Sequence, residues 1–379
     1  MKKLSFLVIS GSALKKDTNG LFGYGPYIKE LNIWLRHVGN TEIIAPINQS
    51  AVSPIDLKID KSDLRFFSFS EFSIIGIKNK IQSLFLVPYI FSLIVFRMFK
   101  ADVIHLRCPS NVALIGVFAQ ILFPWKKKIV KYAANWDPNS KQPWSSKVQQ
   151  YILKNTFLTH NAQVLVYGTW PDKTRNIKPF FTASYVNKDI VPLPQKSIRR
   201  NETLQLIYVG TLTENKKPLL SANVALELLN KGFKVELNFY GDGIQRKELE
   251  AFIATNKLEN SVFVHGNRTA EEVKNAFKKA HALVFISRSE GWPKVVAEAM
   301  FWGCVPVTTR VSMVPEMVGN GKRGLLVAPD LTEIVAAIES LFANPQGYTE
   351  MSDLARDWSQ QYTLESFESE IIKLLKTPS

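Results

Sequence analysis

The stretch with the most chemical content is residues 287–307, which read SRSEGWPKVVAEAMFWGCVPV. It places one acid, Glu290, on a loop broken by glycine and proline, and a second acid, Glu298, in the helix that follows. Proline suits the first turn of a helix, so the helix is predicted to start at Pro293. The free amides and the positive dipole end of a helix start bind anions. An acid beside them fits a sugar diphosphate, with the carboxylate on hydroxyls and the amides on phosphates.

The spacing of these residues says more than the two acids alone, which by themselves would be typical of solvated surface side chains. Glu290 and Glu298 are separated by seven residues, and Gly303, Pro306 and Val307 follow. This pattern resembles the donor-site signature of the family 4 (group 1) glycosyltransferases, which are retaining enzymes with the two-domain GT-B fold. The residues in register with that signature also include Ser287, Gly291, Pro293, Ala299 and Met300.

The resemblance implies a role for each part of a donor site. Glu290 would bond the sugar hydroxyls, Glu298 would accept from the ribose hydroxyls, and the amides of residues 291–294 would face the diphosphate. Lys216 matches a lysine that contacts the diphosphate in the family. The predicted donor-binding residues are Gly210, Thr211, Lys216, Lys217, Gly241, His265, Gly266, Ser287, Glu290, Gly291, Trp292, Pro293, Lys294, Val295 and Glu298.

The chain departs from the family in two places on the donor side. Thr211 stands where the family usually has an arginine, so either Lys217 or another basic group compensates, or the phosphate is held differently. Residues 312–313, Ser-Met, replace a Gly-Gly pair, which is expected to reshape the pocket near the sugar. A plain tight turn at Gly241 and a structural role for His265 are open alternatives to contact with the donor.

A glycine-rich segment follows the first predicted strand. Residues 19–26, NGLFGYGP, bring three glycines before a helix expected to open at Pro26, which predicts a flexible, backbone-rich loop. It resembles the family's glycine loop, which lies between donor diphosphate and acceptor, although a long surface loop is the alternative. The residues predicted to act here, together with the end of a neighbouring strand, are Gly23, Tyr24, Gly25 and Arg107.

The first half lacks one family feature. The family often has a histidine after the fourth strand of this domain, but residues 132–138 contain none. Asn135 and Asp137 are the polar groups available there to contact acceptor or donor sugar. The predicted catalytic residues are therefore Glu290, Lys216, Asn135 and Asp137.

Length and patterning predict an α/β protein of two domains. The 379 residues are 46% hydrophobic and 21% charged, which is enough for two cores. Strand-like and helix-like segments alternate, which favours parallel α/β units. The resemblance implies the GT-B arrangement, in which two Rossmann-like domains with doubly wound parallel sheets face each other across a cleft. We predict an acceptor-binding domain at 1–190, a hinge at 187–203 and a nucleotide-sugar domain at 200–360. The resemblance implies that a helix in 361–379 packs back on the first domain.

The net charge of +14 is unevenly distributed. Residues 1–200 hold 28 Lys and Arg against 11 Asp and Glu, whereas residues 201–379 hold 19 against 22. A basic excess suits an anionic membrane, nucleic acid or an acidic substrate. No nucleic-acid motif accompanies it, so nucleic acid is not an expected partner. Lysine-rich solubility is the plain alternative.

Two apolar stretches of the basic half bear on membrane contact. Residues 81–99 are nearly long enough to span a bilayer, but Gln82, Pro88 and Arg97 interrupt them, so a buried or interfacial helix is predicted. Residues 112–123 are followed by Pro-Trp-Lys-Lys-Lys, and aromatics beside lysines suit an interface. A core helix with a solvated end has the same composition. We predict peripheral contact with an anionic membrane.

The cysteines and the amino terminus bear on location. Cys108 and Cys304 show no disulfide or metal-ligand spacing, which fits a reducing cytosol. The apolar run after Lys3 is too short for a signal peptide and is typical of a buried strand. We expect a cytoplasmic protein, peripheral at the inner face of the membrane.

The expected activity is retaining transfer of a sugar from a nucleotide diphosphate sugar, with UDP or GDP, to an acceptor hydroxyl, without a required metal or other cofactor. The expected acceptor is a glycan or a lipid-linked intermediate in bacterial cell-surface glycan synthesis, such as capsule or lipopolysaccharide. Two alternatives stay open. One is a sugar-nucleotide 2-epimerase on the same fold, and the other is a non-catalytic scaffold that binds glycan or membrane.

Overall fold

The computed structural model describes residues 4–70, 77–171, 174–199 and 202–376. It divides the chain into an N-terminal unit, Met1–Phe181 with Phe367–Ser379, and a C-terminal unit, Thr182–Ser366. The division falls earlier than the predicted boundary at residue 190. Residues 182–190 therefore belong to the C-terminal unit, which corrects the predicted extent of the first domain.

The described part of the predicted hinge, residues 187–199, belongs to the C-terminal unit and packs on it. Ile198 is 3% exposed and joins the core of that unit. The Lys196 ammonium donates to the Phe277 carbonyl oxygen over 2.8 Å, and burial lowers the pKa of Lys196 to about 8. Prolines predict a break in regular structure, but an irregular segment can still bury its side chains. Residues 200–201 lie outside the described residues.

The N-terminal unit is built on one sheet. Its parallel strands follow the order β6-β4-β1-β7-β8-β9-β10, so the order along the chain reverses between β1 and β7. Such a reversal is the switch point at which doubly wound sheets bind ligands. The strands are β1 (Phe6–Ser10), β2 (Leu14–Asp17), β3 (Gly20–Tyr24), β4 (Thr41–Ile47), β5 (Asp56–Lys58), β6 (Leu64–Ser70), β7 (Val103–Cys108), β8 (Lys127–Tyr132), β9 (Ala162–Tyr167) and β10 (Ile177–Phe180).

The segment predicted as a flexible glycine loop is a β-hairpin, so that prediction is wrong. Strands β2 and β3 pair antiparallel, and β3 also pairs with β5. A Cβ on Gly23 would lie 2.9 Å from the Leu14 side chain, and one on Gly25 would lie 2.6 Å from the Ile55 carbonyl oxygen. These glycines serve close packing of the hairpin. The β5 partner is remote in sequence, so local patterning gives no sign of it.

Four helices pack on this sheet: α1 (Gly25–Arg36), α2 (Ile77–Lys100), α3 (Asn111–Ala119) and α4 (Trp144–Lys154). Helix α2 contains the apolar run and is amphipathic. It buries Ile90, Ile94 and Met98 at a spacing of four residues, while its opposite face exposes aromatic side chains. None of the described helices is long and apolar enough to cross a bilayer. The exposed aromatics are Phe85, Tyr89, Phe96 and Phe99.

The C-terminal unit has a parallel sheet in the order β13-β12-β11-β14-β15-β16. Its switch point lies between β11 and β14, where the order reverses. The strands are β11 (Leu204–Val209), β12 (Val235–Tyr240), β13 (Val262–Val264), β14 (Ala282–Phe285), β15 (Val305–Thr309) and β16 (Leu325–Val327). The helices are α5 (Pro218–Asn230), α6 (Arg246–Thr255), α7 (Ala270–Lys279), α8 (Lys294–Phe301), α9 (Val314–Met317), α10 (Leu331–Ala343), α11 (Pro345–Ser359) and α12 (Leu364–Lys376).

Helix α12 begins in the C-terminal unit and continues into the N-terminal unit. The Phe367 ring lies 5.5 Å from the Phe180 ring, centroid to centroid. The Lys127 ammonium donates to the Leu375 carbonyl oxygen over 2.8 Å. From Phe367 onward the helix therefore belongs to the N-terminal unit.

Candidate active site

Two loops meet at the switch point of the C-terminal sheet. One follows β11 and carries Gly210 to Lys217, and the other follows β14 and carries Ser287 to Glu290. The Arg288 amide donates to the Asn215 carbonyl oxygen (2.9 Å), and the Asn215 side-chain amide donates to the Ser289 carbonyl oxygen (3.2 Å). The loops are therefore held together by hydrogen bonds that involve their backbones.

The centre of these loops is an ion pair between Lys216 and Glu290. The side chains are 19% and 11% exposed, so the pair is largely shielded from solvent. The same Oε1 of Glu290 accepts a hydrogen bond from the Ser287 hydroxyl over 2.6 Å. The Lys216 ammonium also lies 4.7 Å from the centroid of the Phe285 ring. The structure thus brings Lys216 together with Ser287 and Glu290, two predicted residues of a loop that is remote from it in sequence.

Thr309, which sequence reasoning did not select, fixes the backbone of Ser287. Its hydroxyl accepts from the Ser287 amide (3.1 Å) and donates to the Ser287 carbonyl oxygen (2.6 Å). Thr309 is buried and ends β15, the strand beside β14. A polar residue at the end of a buried strand is a weak signal in the sequence, because many such residues simply cap a turn.

Because Gly241 has no side chain, the backbones of the loops that follow β11 and β12 can pack directly against each other. Gly241 has φ +132°, and a Cβ there would lie 2.0 Å from the Gly210 carbonyl oxygen. The Gly210 amide donates to the Tyr240 carbonyl oxygen (2.9 Å), and the Gly241 amide donates to the Gly266 carbonyl oxygen (2.9 Å). These contacts favour the tight-turn alternative for Gly241 over direct contact with a ligand.

The His265 side chain contacts neighbouring side chains of the C-terminal unit. Its Nε2 lies 2.6 Å from Asn238 Oδ1, and its ring stacks on Tyr240 with centroids 4.7 Å apart. Burial and the nearby Arg268 charge lower the pKa of His265, so the neutral ring is favoured. This geometry favours a structural role, one of the two alternatives left open by the sequence. Gly266 follows with φ +71°, a backbone conformation that glycine readily adopts.

Helix α8 begins at Lys294 and has Pro293 as its N-cap, one residue later than predicted. The reason is the extended ψ of 91° at Pro293, which places that residue outside the first turn. Gly291 lies just before it, and its carbonyl oxygen accepts from the Ser312 hydroxyl over 3.0 Å. Ser312 has φ +45°, the left-handed region where glycine is usual, and it occupies the position of the family's glycine pair.

Side chains around the start of α8 differ in accessibility. Trp292 is buried and stacks on Trp358 with centroids 6.3 Å apart, so its indole holds the loop against helix α11. Lys294 and Val295 are half-buried. We therefore expect the Trp292 side chain to position its loop and the Trp292 backbone to make any contact with a ligand.

Glu298 has partners different from those of Glu290. Its carboxylate accepts from the Ser184 hydroxyl over 2.5 Å. It also contributes, after burial, to a raised pKa of Tyr185. Ser184 lies in the segment that sequence analysis assigned to the first domain, which is why it was missed. The predicted contact of Glu298 with ribose stays a prediction.

The position of Thr211 is exposed, and its carbonyl oxygen accepts from the Tyr208 hydroxyl over 3.0 Å. Two basic groups lie on the same pair of loops. Lys217 is half-buried and has φ +46° at the N-cap of α5, whereas Arg288 pairs with Glu214 over 2.7 Å. Arg288 was not selected from the sequence, and its position makes it a second candidate to replace the family's arginine.

In the N-terminal unit, the predicted residues lie at strand ends of the switch-point edge. Arg107, near the end of β7, lies 4.2 Å from the centroid of the Tyr27 ring. Asn135 is buried and its side chain accepts from the Asp137 amide over 2.9 Å. Tyr24 is exposed at the end of β3. Asn135 thus shapes the turn in which Asp137 stands, so a positioning role accompanies the predicted sugar contact.

Comparison with known proteins identifies the second half of the chain. Residues 191–360 match the family model described as "Glycosyl transferases group 1". This segment contains both loops of the switch point and helix α8, so the predicted resemblance to the group 1 glycosyltransferases is confirmed over these residues.

Curated relatives support the same assignment. The chain is 27% identical over 151 residues to an alpha-D-kanosaminyltransferase of Streptomyces kanamyceticus, covering 40% of this chain and 39% of that protein. It is 27% identical over 183 residues to a putative colanic acid biosynthesis glycosyltransferase of Salmonella typhimurium, covering 46% and 45%. The chain therefore matches less than half the length of these relatives.

The fold extends over both units. HepE of Anabaena, solved in complex with UDP and glucose, superposes with a TM-score of 0.69 over 99% of this chain and 100% of that one, at 15% identity. At this identity the likeness shows the fold alone. The GT-B class, with two Rossmann-like parallel-sheet units, is thereby confirmed.

Proposed function

We propose that the chain is a glycosyltransferase that moves a sugar from a nucleotide diphosphate sugar to an acceptor hydroxyl. The observation that carries this proposal is the Lys216–Glu290–Ser287 cluster at the switch point of the C-terminal sheet. It combines an ammonium group suited to a diphosphate with a carboxylate suited to sugar hydroxyls, beside the start of a helix. The match of residues 191–360 to the group 1 family supports it.

The donor would bind across the two loops. Its diphosphate would contact Lys216 and the amides of residues 291–294, and its sugar would draw Glu290 away from Lys216 by offering hydroxyl donors. Glu298 would accept from the ribose. The UDP bound in the HepE structure supports a uridine donor, and GDP is the alternative base.

The chemistry follows from where charge develops. As the bond from the anomeric carbon to the diphosphate oxygen breaks, negative charge grows on that oxygen, and Lys216 and the helix amides stabilise it. The acceptor oxygen forms the new bond on the same face, and its proton passes to the departing diphosphate. The configuration is retained without a protein nucleophile, and the proposal requires no metal. Arg107, Asn135 and Asp137 are the proposed contacts of the acceptor or sugar.

The proposed acceptor is a glycan or a lipid-linked intermediate of bacterial cell-surface glycan synthesis. The relative named for colanic acid biosynthesis supports this class. The basic first half and the exposed aromatic face of α2 support peripheral contact with an anionic membrane, at its cytoplasmic face.

The test separates donor binding from sugar transfer. Glu290→Gln removes the ion pair of Lys216 and weakens hydrogen bonding to the sugar. The variant should still bind a nucleoside diphosphate, but its rate of transfer or donor hydrolysis should fall by about 100-fold. Lys216→Gln should weaken both. Thermal unfolding with UDP, GDP and their sugars measures binding, since a ligand at 100 times its Kd adds about 2.7 kcal/mol. Release of nucleoside diphosphate measures turnover.

Glu350→Gln, the same change at an exposed site on α11, is the matched control and should resemble the wild type. No stabilisation by any nucleotide at millimolar concentration, or equal turnover in Glu290→Gln and the wild type, would refute the proposal. Binding without turnover in the wild type would favour the scaffold alternative.

A further inference from the structure

A cavity of about 570 Å³ lies in the N-terminal unit, at the edge of the sheet where β8, β9 and β10 begin. Lys127 and Lys128 open β8, Gln163 lies near the start of β9, and Lys178 lies near the start of β10. In a parallel sheet all amino ends share one edge, so this edge is opposite to the one that carries Arg107. The cavity is therefore separate from the proposed acceptor contacts.

The lining of this cavity is basic. It includes Lys127, Lys128, His160, Arg175 and Lys178, and the lining residues that the structure describes include no Asp or Glu. Thr156, Asn161 and Asn176 are polar residues that also line it. A concave surface with cations of one sign concentrates anions.

Lys128 shows the electrostatic character of the site. Its side chain is buried, and its ammonium donates to the His160 carbonyl oxygen over 2.6 Å. Burial lowers the pKa of Lys128 to about 8, because desolvation disfavours the charged ammonium. An anion in the cavity would stabilise that charged form.

The rim of the cavity is aromatic and exposed. Trp125, which lines it, is 63% exposed, and Phe157, next to the lining residue Thr156, is 86% exposed. Large aromatic side chains beside cations are enriched where proteins meet the headgroup layer of a membrane. A soluble phosphate ester would make no use of such a rim.

We propose that this cavity binds the phosphate-bearing headgroup of an anionic phospholipid, with Trp125 and Phe157 placed among the lipids around it. The inference rests on the peripheral membrane contact put forward with the proposed function, and it gives that contact a defined site. Arg175 and Lys178 at the mouth would donate to the phosphate oxygens. The amino edge of the sheet would then face the bilayer.

The test is sedimentation of the full chain with vesicles of phosphatidylcholine alone or mixed in equal parts with phosphatidylglycerol. The wild type should bind the mixed vesicles, and Arg175→Gln with Lys178→Gln should lower that partitioning by roughly 20-fold. Lys234→Gln with Lys247→Gln removes the same charge from exposed sites on the C-terminal unit and should change it little. Trp125→Ala should also weaken vesicle binding.

Two results would overturn the inference. One is an equal loss of vesicle binding in both double variants, which would indicate that net charge alone drives binding. The other is unchanged vesicle binding in the Arg175 and Lys178 variant. Thermal stabilisation by glycerol 3-phosphate that depends on Arg175 and Lys178, without binding to vesicles, would overturn the lipid assignment in favour of a soluble phosphate ester. Nucleotide binding, measured in the same variants, should be unchanged. If it stays normal while vesicle binding is unaffected, the headgroup site fails and the donor site stands.

Discussion

At the residue scale, the pairing of Lys216 with Glu290 gives the donor site its character. Lys216 and Glu290 form an ion pair, and the Ser287 hydroxyl donates a hydrogen bond to the same carboxylate oxygen of Glu290. In the proposed donor complex, ligand contacts would replace this internal ion pair. A diphosphate would compensate the ammonium and hydroxyls would compensate the carboxylate, so we expect a ligand with both groups to bind better than one with either alone.

Thr211 offers a gain-of-affinity prediction. Its exposed position corresponds to the family's arginine, and its backbone is held by Tyr208. Thr211→Arg should tighten binding of a nucleoside diphosphate by about 10-fold, because a charge-assisted hydrogen bond to phosphate contributes about 1.5–3 kcal/mol. Isothermal titration calorimetry with UDP or GDP against the matching monophosphate measures the effect.

The control for this change is Thr255→Arg, at an exposed site at the end of α6 in the same unit. It adds the same charge at a position that belongs to neither loop, and it should leave the affinity nearly unchanged. A similar gain in both variants, or none in Thr211→Arg, would mean that residue 211 does not face the phosphates.

At the scale of elements, the donor site depends on loops that stack through their backbones. The turns after β11, β12 and β13 are joined by hydrogen bonds between Gly210, Tyr240, Gly241 and Gly266. The loop before helix α8 is held by a side chain instead, since the Ser312 hydroxyl donates to the Gly291 carbonyl oxygen. The rigidity of these loops limits the motion of the side chains that they carry.

Gly241→Ala tests this stacking. The added Cβ meets the Gly210 carbonyl oxygen at 2.0 Å and the residue keeps φ +132°, so strain and steric overlap both oppose it. We expect a loss of about 2–4 kcal/mol in unfolding free energy, together with weaker nucleotide binding. Thermal unfolding with and without nucleotide measures both effects.

Gly232→Ala is a matched control because Gly232 also has positive φ, +86°, but has nothing within 4 Å of an added Cβ. It should cost only the backbone strain, about 1 kcal/mol, and leave nucleotide binding intact. Equal effects of the two substitutions would show that the backbone contact between the loops is unimportant.

At the scale of the whole molecule, each unit carries a histidine whose neutral form is favoured by burial: His105 is buried and His281 is half-buried. In the N-terminal unit, burial is the main cause that lowers the pKa of His105 to about 3, and its ring packs against both Phe6 and Trp34. In the C-terminal unit, burial and then Lys196 lower the pKa of His281 to about 4. Each resists protonation only while its unit is folded.

Acid should therefore destabilise the protein. Below the unfolded histidine pKa of about 6.5, the unfolded chain binds protons that the folded chain does not, so the free energy of unfolding falls as the pH falls. The slope approaches about 1.4 kcal/mol per pH unit for each such histidine, down to its folded pKa. Denaturant unfolding between neutral pH and pH about 4 measures it.

His105→Phe preserves the aromatic stack and removes one titrating group, so its pH dependence should be shallower than that of the wild type. The exposed His160 is the control; His160→Phe should leave the slope almost unchanged. A stability that is flat between neutral and mildly acidic pH would contradict the predicted burial of both neutral rings.

The sequence by itself determined the elements that local patterning controls. The alternation of strands and helices in the second half was predictable, apart from the short helix α9, because buried parallel strands are continuous apolar runs separated by amphipathic helices. Ser287 and Glu290 could also be selected from the sequence as candidate site residues, because the signature around Glu290 and Glu298 is local. Lys216 could be selected from its match to a lysine of the family. The fold class followed from the same alternation.

Only the tertiary structure decided which groups meet. The ion pair of Lys216 with Glu290, the support of Ser287 by Thr309 and the bond of Ser184 to Glu298 join residues that are remote in sequence. The hairpin of β2 and β3 likewise depends on its distant partner β5. The domain division moved to Thr182 because the irregular segment after it packs on the second core. Such contacts are set by the packing of strands and loops, whose energy depends on neighbours in space, and a local sequence pattern carries no record of those neighbours.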